Sequence, residues 1–199
     1  MLQKKLIEVP RNVICIIGLA CVSPFILLAA FALIISDGLP IFFIQERLGQ
    51  HQKIFKIIKI RTLKNSTPQT GTHKLKQQHK LVVGDLIRKI KLDEFPQLLN
   101  VVMGEINLIG PRPGLPNQEL LLSCRLERQV FTAKPGITGL SQVMGYDMSN
   151  PEELSKIDAI YIRNKSLRID GLILLATFIN FPKKYLAKRY GIDDVSTIK

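Results

Sequence analysis

Residues 12–36 constrain the fold of this chain more than any other stretch, because about 25 consecutive residues there carry no charge and roughly 20 suffice for a helix to cross a bilayer. Basic residues flank the stretch on both sides, at Lys4 and Arg11 before it and at Arg47 and Lys53 after it. Basic flanks prefer the cytoplasmic side of a membrane. The charges therefore favour a segment that leaves the membrane on the side from which it entered.

The dipeptide Ser23-Pro24 lies in the middle of this stretch and predicts a break in the helix. Pro24 cannot donate a backbone hydrogen bond and clashes with the carbonyl group four residues earlier, while the Ser23 hydroxyl can re-satisfy the freed group. A re-entrant helix-break-helix in residues 1–36 is the interpretation that the flanking charges favour. A straight transmembrane helix is one alternative. A signal peptide cleaved after residues 30–32 is another, although the apolar run continues beyond that point.

The rest of the chain has the length of one globular domain and the charge of a protein with anionic partners. The 199 residues carry a formal net charge of +12, which indicates lipid headgroups, nucleotides or nucleic acid. The three cysteines lack the spacing of a disulfide framework or a zinc site and fit a reducing compartment. We expect a compact α/β (α+β) domain with few short strands in residues 37–190 and a disordered tail in residues 191–199.

Two adjacent carboxylates, Asp93 and Glu94, begin a predicted helix in a chain that is otherwise rich in lysine and arginine. Asp93 suits the N-cap position and Pro96 the first turn, and apolar residues follow in 98–102. A helix N-terminus favours ionised carboxylates and a phosphate nearby. Carboxylates beside a phosphate indicate Mg²⁺, which takes one or two carboxylates and completes its shell with phosphate oxygens and water. The alternative is that the two acids only cap the helix.

Basic side chains outside this stretch are candidates for phosphate binding: Lys59, Arg61, Arg88 and Arg112. Residues 54–61 are predicted to be a strand, in which the first two share one face because they are two residues apart. A solvated strand face is the alternative for that pair. Arg112 lies between two prolines, which hold the backbone and lower the entropy cost of presenting its guanidinium to a phosphate.

Other patterns predict the elements around these candidates. We expect a mobile loop in residues 65–80, a strand in 106–109, helices in 117–131 and 152–163, and a glycine-rich turn in 134–140. Residues 170–190 are first apolar and then basic and aromatic, which suits a helix lying at a membrane interface. An ordinary core helix with a solvated basic end is the alternative.

Together these motifs resemble the monotopic phosphoglycosyl transferases, the bacterial sugar transferase family that begins polyprenyl-linked glycan assembly. The resemblance covers nearly the whole chain. It depends on several motifs in the same order, which are Ser23-Pro24 and residues 55–62, 92–101, 109–113, 134–143 and 158–162.

The resemblance implies a catalytic domain on the cytoplasmic face of the bacterial inner membrane. It also implies Mg²⁺-dependent transfer of a phosphosugar from a UDP-sugar to polyprenyl (undecaprenyl) phosphate, with release of UMP. By this likeness Asp93 is the nucleophile that forms a covalent phosphosugar intermediate, and Glu94 is a Mg²⁺ ligand beside it. The remaining implied roles are phosphate contacts from Lys59, Arg88 and Arg112 and supporting roles for Asp158, Pro111 and Gln142.

A non-catalytic membrane-associated scaffold that binds anionic lipid or nucleotide is the alternative function. Its motivation is that Tyr146 follows Gly145, where the family often has an arginine, and that residues 74–80 are basic where acids are usual. Membrane phospholipid is an expected partner in either case, and a homo-oligomer stays open. We expect no specific nucleic-acid binding, because no recognition motif accompanies the positive charge.

Overall fold

The computed structural model describes residues 2–67 and 81–193. Most of the predicted mobile loop 65–80 and residues 194–199 of the predicted tail lie outside the described residues. The chain divides into two compact units, of which unit 1 comprises Met1–Gln45 with Lys56–Gly104 and unit 2 comprises Glu46–Phe55 with Glu105–Lys199. The described residues form a mixed α/β structure that is mostly helical with short strands, as the sequence predicts.

The helices in the described part of the chain are α1 (Leu2–Asp37), α2 (Val82–Lys89), α3 (Gln97–Val102), α4 (Glu119–Glu127), α5 (Leu140–Val143), α6 (Pro151–Asn164), α7 (Leu167–Ala176) and α8 (Asn180–Tyr190). The strands there are β1 (Phe42–Leu48), β2 (Ile54–Ile60), β3 (Asn107–Ile109) and β4 (Gly136–Thr138). Single 3₁₀ turns occur at Gln50–Gln52, Leu92–Glu94 and Val130–Thr132. The predictions of a strand in 106–109 and a helix in 152–163 are confirmed.

Helix α1 is long and apolar enough to cross a membrane. Its Val9–Asp37 portion contains an 18-residue window that has a mean hydropathy of 2.7 and is largely exposed. The helix runs continuously through Ser23 and Pro24, and Ser23 Oγ donates to the Ala20 carbonyl at 2.8 Å. The re-entrant break is therefore not resolved and stays a prediction.

The core of unit 1 forms where one face of α1 meets β2 and α2. Leu33, Ile60, Ile87 and Leu92 are buried together in this core. Asn100 attaches α3 to β2, because its side-chain oxygen accepts from the Ile58 backbone N–H at 3.1 Å and its amide nitrogen donates to the Lys56 carbonyl at 2.8 Å. Since Asn100 is fully buried, these bonds satisfy a polar group that would otherwise be costly.

Unit 2 contains a short parallel sheet whose strands approach each other very closely. Asn107 pairs with Gly136 and Ile109 with Thr138. A Cβ atom on Gly136 would lie 2.1 Å from the Gly110 nitrogen, so this position requires glycine. The prediction of a turn throughout 134–140 is therefore wrong, because 136–138 form β4 against β3. The pattern did not indicate a strand because a three-residue strand is too short to show alternation.

Segment 170–190 forms two helices, α7 and α8, where the sequence suggested one. The physical reason is Pro182, which cannot donate to the carbonyl group of residue 178 and so starts a new helix. Phe178 and Phe181 flank the junction and are 75% and 80% exposed. Large exposed aromatic side chains beside lysines are typical of a membrane-interface segment.

Candidate functional site

The acidic pair lies in a 3₁₀ turn that precedes α3. The sequence predicted Asp93 at the N-cap of this helix. That prediction is wrong, because Pro96 occupies the N-cap position. The nitrogen of Pro96 cannot donate to the Leu92 carbonyl, which instead accepts from the Phe95 N–H at 3.3 Å. This hydrogen bond spans three residues where an α-helical bond spans four. It therefore winds the chain into a 3₁₀ turn and places both acids before the helix.

Backbone strain and a cation adjoin the two acids. Lys91, which precedes the turn, adopts a left-handed conformation with φ of 57°, and such strain in a non-glycine residue concentrates at functional sites. Lys59 Nζ lies 3.2 Å from Glu94 Oε1, and these side chains are 14% and 22% exposed. Asp93 and Glu94 are both only half-buried. A solvent-borne substrate can therefore reach an acidic pair that already has a cation beside it.

Lys59 and Arg61 do not act as one basic surface, although they lie two residues apart. The Arg61 guanidinium is buried and contacts Asp37 at 3.6 Å, the Gly38 carbonyl at 2.6 Å and the Asn65 side chain. These contacts tie the end of β2 to the end of α1. Lys59 instead contacts Glu94. The predicted phosphate contact of Arg61 is untested, and the contacts of its guanidinium indicate a structural role.

Arg88 is directed to the segment that follows β2. Its Nε donates to Thr62 Oγ1 at 2.7 Å, which orients the guanidinium while leaving Arg88 half-buried. Helix α2 packs closely against the backbone of Thr62, because a Cβ atom on Gly84 would lie 2.1 Å from the Thr62 carbonyl oxygen. This packing fixes the geometry of the Arg88 contact. Unit 1 thus brings Glu94 and Lys59 into contact, and the predicted role of Arg88 toward a phosphate stays open.

Residues 111–114 form the loop that carries Arg112, here called the Arg112 loop, and belong to unit 2. Each of their four carbonyl groups accepts a hydrogen bond. Those of residues 111, 112, 113 and 114 accept in turn from the Gly136 N–H at 2.9 Å, Arg125 Nη1 at 2.8 Å, Arg47 Nη1 at 3.1 Å and the Leu48 N–H at 3.0 Å. Two prolines already limit the backbone dihedrals of this loop. The loop is therefore rigid, and the Arg112 side chain is half-buried upon it.

Asp158 supports this loop through Arg125. Asp158 Oδ2 lies 2.7 Å from Arg125 Nη2, and Asp158 Oδ1 accepts from Ser141 Oγ at 2.8 Å. Burial raises the pKa of Asp158, and the opposing effects of Arg125 and Ser141 are smaller. Because Arg125 also holds the carbonyl of Arg112, the structure provides a physical basis for the supporting role expected of Asp158.

Two further predicted supporting residues also lie in unit 2. Pro111 is buried and receives its hydrogen bond from β4. Gln142 Nε2 donates to the Ile137 carbonyl at 3.1 Å, and its buried Oε1 has no hydrogen-bond partner among the described residues. The Pro111 carbonyl and the Gln142 side chain thus both form a hydrogen bond with β4.

Sequence reasoning missed three residues that fix the candidate elements within their own units, which are Asn100 in unit 1 and Arg125 and Arg47 in unit 2. A signal existed for the first two, since each is a polar residue in a helix whose neighbours are mostly apolar. A polar side chain on an apolar face requires a buried partner. Arg47 gave no such signal, because its partner lies 66 residues away in the chain.

The chain was compared with known proteins. Residues 3–184 match the family described as Bacterial sugar transferase. The chain is 35% identical over 177 residues to the uncharacterized sugar transferase EpsL of Bacillus subtilis (strain 168), covering 89% of this chain and 86% of that protein.

Two other relatives have similar identity. The exopolysaccharide production protein ExoY of Sinorhizobium fredii (strain NBRC 101917 / NGR234) is 34% identical over 181 residues, covering 82% of this chain and 80% of its own length. The UDP-glucose:undecaprenyl-phosphate glucose-1-phosphate transferase of Caulobacter vibrioides (strain ATCC 19089 / CIP 103742 / CB 15) is 34% identical over 167 residues, covering 79% of this chain and 62% of its own length.

Proposed function

This chain belongs to the bacterial sugar transferase family, and we propose that it transfers a phosphosugar from a UDP-sugar to polyprenyl phosphate with release of UMP. The transfer would be the first membrane step of glycan or glycoconjugate assembly. The name of the Caulobacter relative, which includes both UDP-glucose and undecaprenyl phosphate, supports this substrate pair. The observation that carries the proposal is the accessible turn at Asp93 and Glu94, with Lys59 Nζ 3.2 Å from the Glu94 carboxylate.

The chemistry proceeds in two displacements at one phosphorus atom. A carboxylate oxygen of Asp93 forms a bond to the β-phosphorus of the UDP-sugar, and the bond from that phosphorus to the bridging oxygen breaks, so UMP leaves with the electron pair. A phosphate oxygen of the lipid then bonds to the same phosphorus, and the Asp93 carboxylate is released. A covalent intermediate divides the transfer into two steps, so that the water-soluble donor reacts in the first and the lipid acceptor in the second.

The charges beside Asp93 suit this reaction, because phosphoryl transfer depends mainly on positioning and charge neutralisation. The Lys59 ammonium would hold phosphate oxygens near the acidic turn, and its contact with Glu94 keeps it there before substrate arrives. Arg88, oriented by Thr62, would contribute a further phosphate contact. Arg112, on its rigid loop in unit 2, is the other phosphate contact that the resemblance implies.

The carboxylates of Glu94 and Asp93 have the donor chemistry to hold Mg²⁺. The described residues contain no group of three or more histidines, cysteines or acids that could form an all-protein metal site. Mg²⁺ needs only one or two carboxylates when substrate phosphates and water complete its shell, so two adjacent, partly exposed acids fit that mode. When bound, the ion would neutralise charge on the phosphate oxygens.

We also propose a monotopic arrangement, with the catalytic residues on the cytoplasmic face of the inner membrane. Helix α1 would enter and leave one leaflet by bending at Ser23-Pro24. The exposed aromatic side chains at the α7–α8 junction support contact with the interface. A lipid phosphate acceptor lies at the membrane surface, so an active site there can reach it.

Intact-mass measurement after incubation with donor alone tests the proposal. We expect the parent protein to gain the mass of a phosphosugar with one UDP-sugar of a panel, and Asp93→Asn to gain none. Asp85→Asn, which changes an exposed acid of α2, is the matched control and should form the adduct. An adduct that survives in Asp93→Asn would exclude this residue as nucleophile. Absence of UMP release with every donor, together with retained vesicle binding, would favour a non-catalytic scaffold.

A further inference from the structure

Arg47 lies at the end of β1 and makes close contact with the Arg112 loop. Its Nη1 donates to the Pro113 carbonyl at 3.1 Å, and the next residue, Leu48, donates its backbone N–H to the Gly114 carbonyl at 3.0 Å. All of these residues belong to unit 2. The loop thus holds one arginine of its own and a second one from the strand beside it.

The positive charge of Arg112 also acts on the Arg47 guanidinium. The pKa of Arg47 is lowered to about 10, first by burial and then by the positive charge of Arg112. Burial and a neighbouring like charge both disfavour the charged form of an arginine. A phosphate that contacts both guanidinium groups would form charge-assisted hydrogen bonds with them and favour their charged forms.

We propose that Arg47 and Arg112 together bind one phosphate group. The proposal rests on the proposed function, which supplies two sources of that group, the pyrophosphate of the UDP-sugar and the phosphate of the polyprenyl acceptor. Arginine is suited to both because its planar N–H groups match the spacing of phosphate oxygens. The Arg47 contact with Pro113 and the Arg125 contact with the Arg112 carbonyl hold the two arginines at the loop before substrate arrives.

Binding of inorganic pyrophosphate to the detergent-solubilised full chain tests the proposal without requiring turnover. Arg47→Gln removes the charge and keeps an N–H donor for the Pro113 carbonyl. Arg163→Gln is the matched control, since Arg163 is an exposed arginine of α6 in the same unit. We expect pyrophosphate to bind roughly 10- to 100-fold more weakly to Arg47→Gln and unchanged to the control, because a hydrogen bond to a charged group carries that difference.

Thermal unfolding separates this role from a purely structural one. If Arg47 binds phosphate, Arg47→Gln loses the rise in melting temperature that pyrophosphate induces in the parent, whatever its melting temperature without pyrophosphate. Pyrophosphate binding equal to that of Arg163→Gln would overturn the proposal at any melting temperature. If the Gln variant does not fold, Arg47→Lys replaces it, and undiminished pyrophosphate binding by that variant overturns the proposal.

The two half-reactions identify the source of the phosphate. A slower rate of adduct formation from donor alone assigns the site to the pyrophosphate of the donor. A normal adduct rate with slower discharge by polyprenyl phosphate assigns it to the acceptor. If even the parent protein forms no adduct, the proposed function fails, while the pyrophosphate measurement still decides whether Arg47 and Arg112 bind an anion.

Discussion

Arg125 Nη2 lies 2.7 Å from Asp158 Oδ2, and the two side chains are only 3% and 2% exposed. A buried ion pair contributes little net stability when it is intact, but removal of one partner leaves an uncompensated charge in a medium of low polarity. Here the pair also determines the backbone of the Arg112 loop, through the bond from Arg125 Nη1 to the Arg112 carbonyl. Stability and loop geometry therefore depend on the same two side chains.

Replacement of Arg125 by Met should lower the free energy of unfolding by about 3–5 kcal/mol, because Asp158 then stays buried without its cation. Denaturant unfolding measures this loss. The control is Lys156→Met, which breaks the exposed pair between Lys156 and Glu153 and should leave the free energy of unfolding nearly unchanged. Equal effects of the two substitutions would contradict a buried pair.

The cost of Arg125→Met should depend on pH in a definite direction. Burial already raises the pKa of Asp158, and loss of Arg125 removes an effect that lowers it, so the pKa rises further. A carboxyl whose pKa is higher in the folded than in the unfolded state loses stability as pH rises between the two values. We expect a smaller loss near about pH 5 than near about pH 7. A loss that is constant over this range would mean that Asp158 does not take up a proton.

Lys59→Met should mainly change the kinetics, whereas Arg61→Met should mainly lower the free energy of unfolding. Lys59 contacts Glu94 at a partly exposed position, so its loss should change the free energy of unfolding by less than about 1 kcal/mol. Its loss should raise KM for the donor roughly tenfold if it binds phosphate. Arg61→Met should cost about 2–4 kcal/mol of stability, because the polar groups of Asp37, Gly38 and Asn65 lose a buried partner.

Denaturant unfolding and initial rates on the same preparations separate the two positions. An unchanged KM for the donor in Lys59→Met would exclude Lys59 as a phosphate contact. If Arg61→Met keeps full stability but loses activity, the structural role inferred from its contacts is wrong.

Glu94→Gln should raise the Mg²⁺ concentration required for half-maximal UMP release by roughly tenfold or more, because the ion loses a carboxylate that substrate phosphate cannot replace. A Mg²⁺ titration at saturating donor measures the change. Glu127→Gln, whose parent side chain is 76% exposed in unit 2, is the control. An unchanged Mg²⁺ requirement in Glu94→Gln would exclude this carboxylate as a ligand.

The elements that could be predicted are those whose cause is local. The uncharged run 12–36 predicts apolar helix long enough to cross a membrane, and α1 has that length and composition, while the predicted break at Ser23-Pro24 is not resolved. Residues 151–164 combine capping with a helical period, and Asn150 caps α6 by accepting from the Glu153 N–H. The adjacency of Asp93 and Glu94 is a property of the chain itself, as is the position of Arg112 between two prolines.

Only the tertiary structure decided which polar side chains are buried together. Strand β4 was not predicted because it depends on a partner strand 29 residues away. The 3₁₀ turn at Leu92–Glu94 has a local cause and was mispredicted because Pro96 was assigned to the first helical turn and lies at the N-cap. Lys59 and Arg61 have equivalent charge and spacing, yet one contacts Glu94 and the other is buried against the end of α1. Sequence determined which residues can ionise. Packing determined which of them lose water, and that loss selects their partners, because a desolvated charge must find an opposite charge or a hydrogen bond.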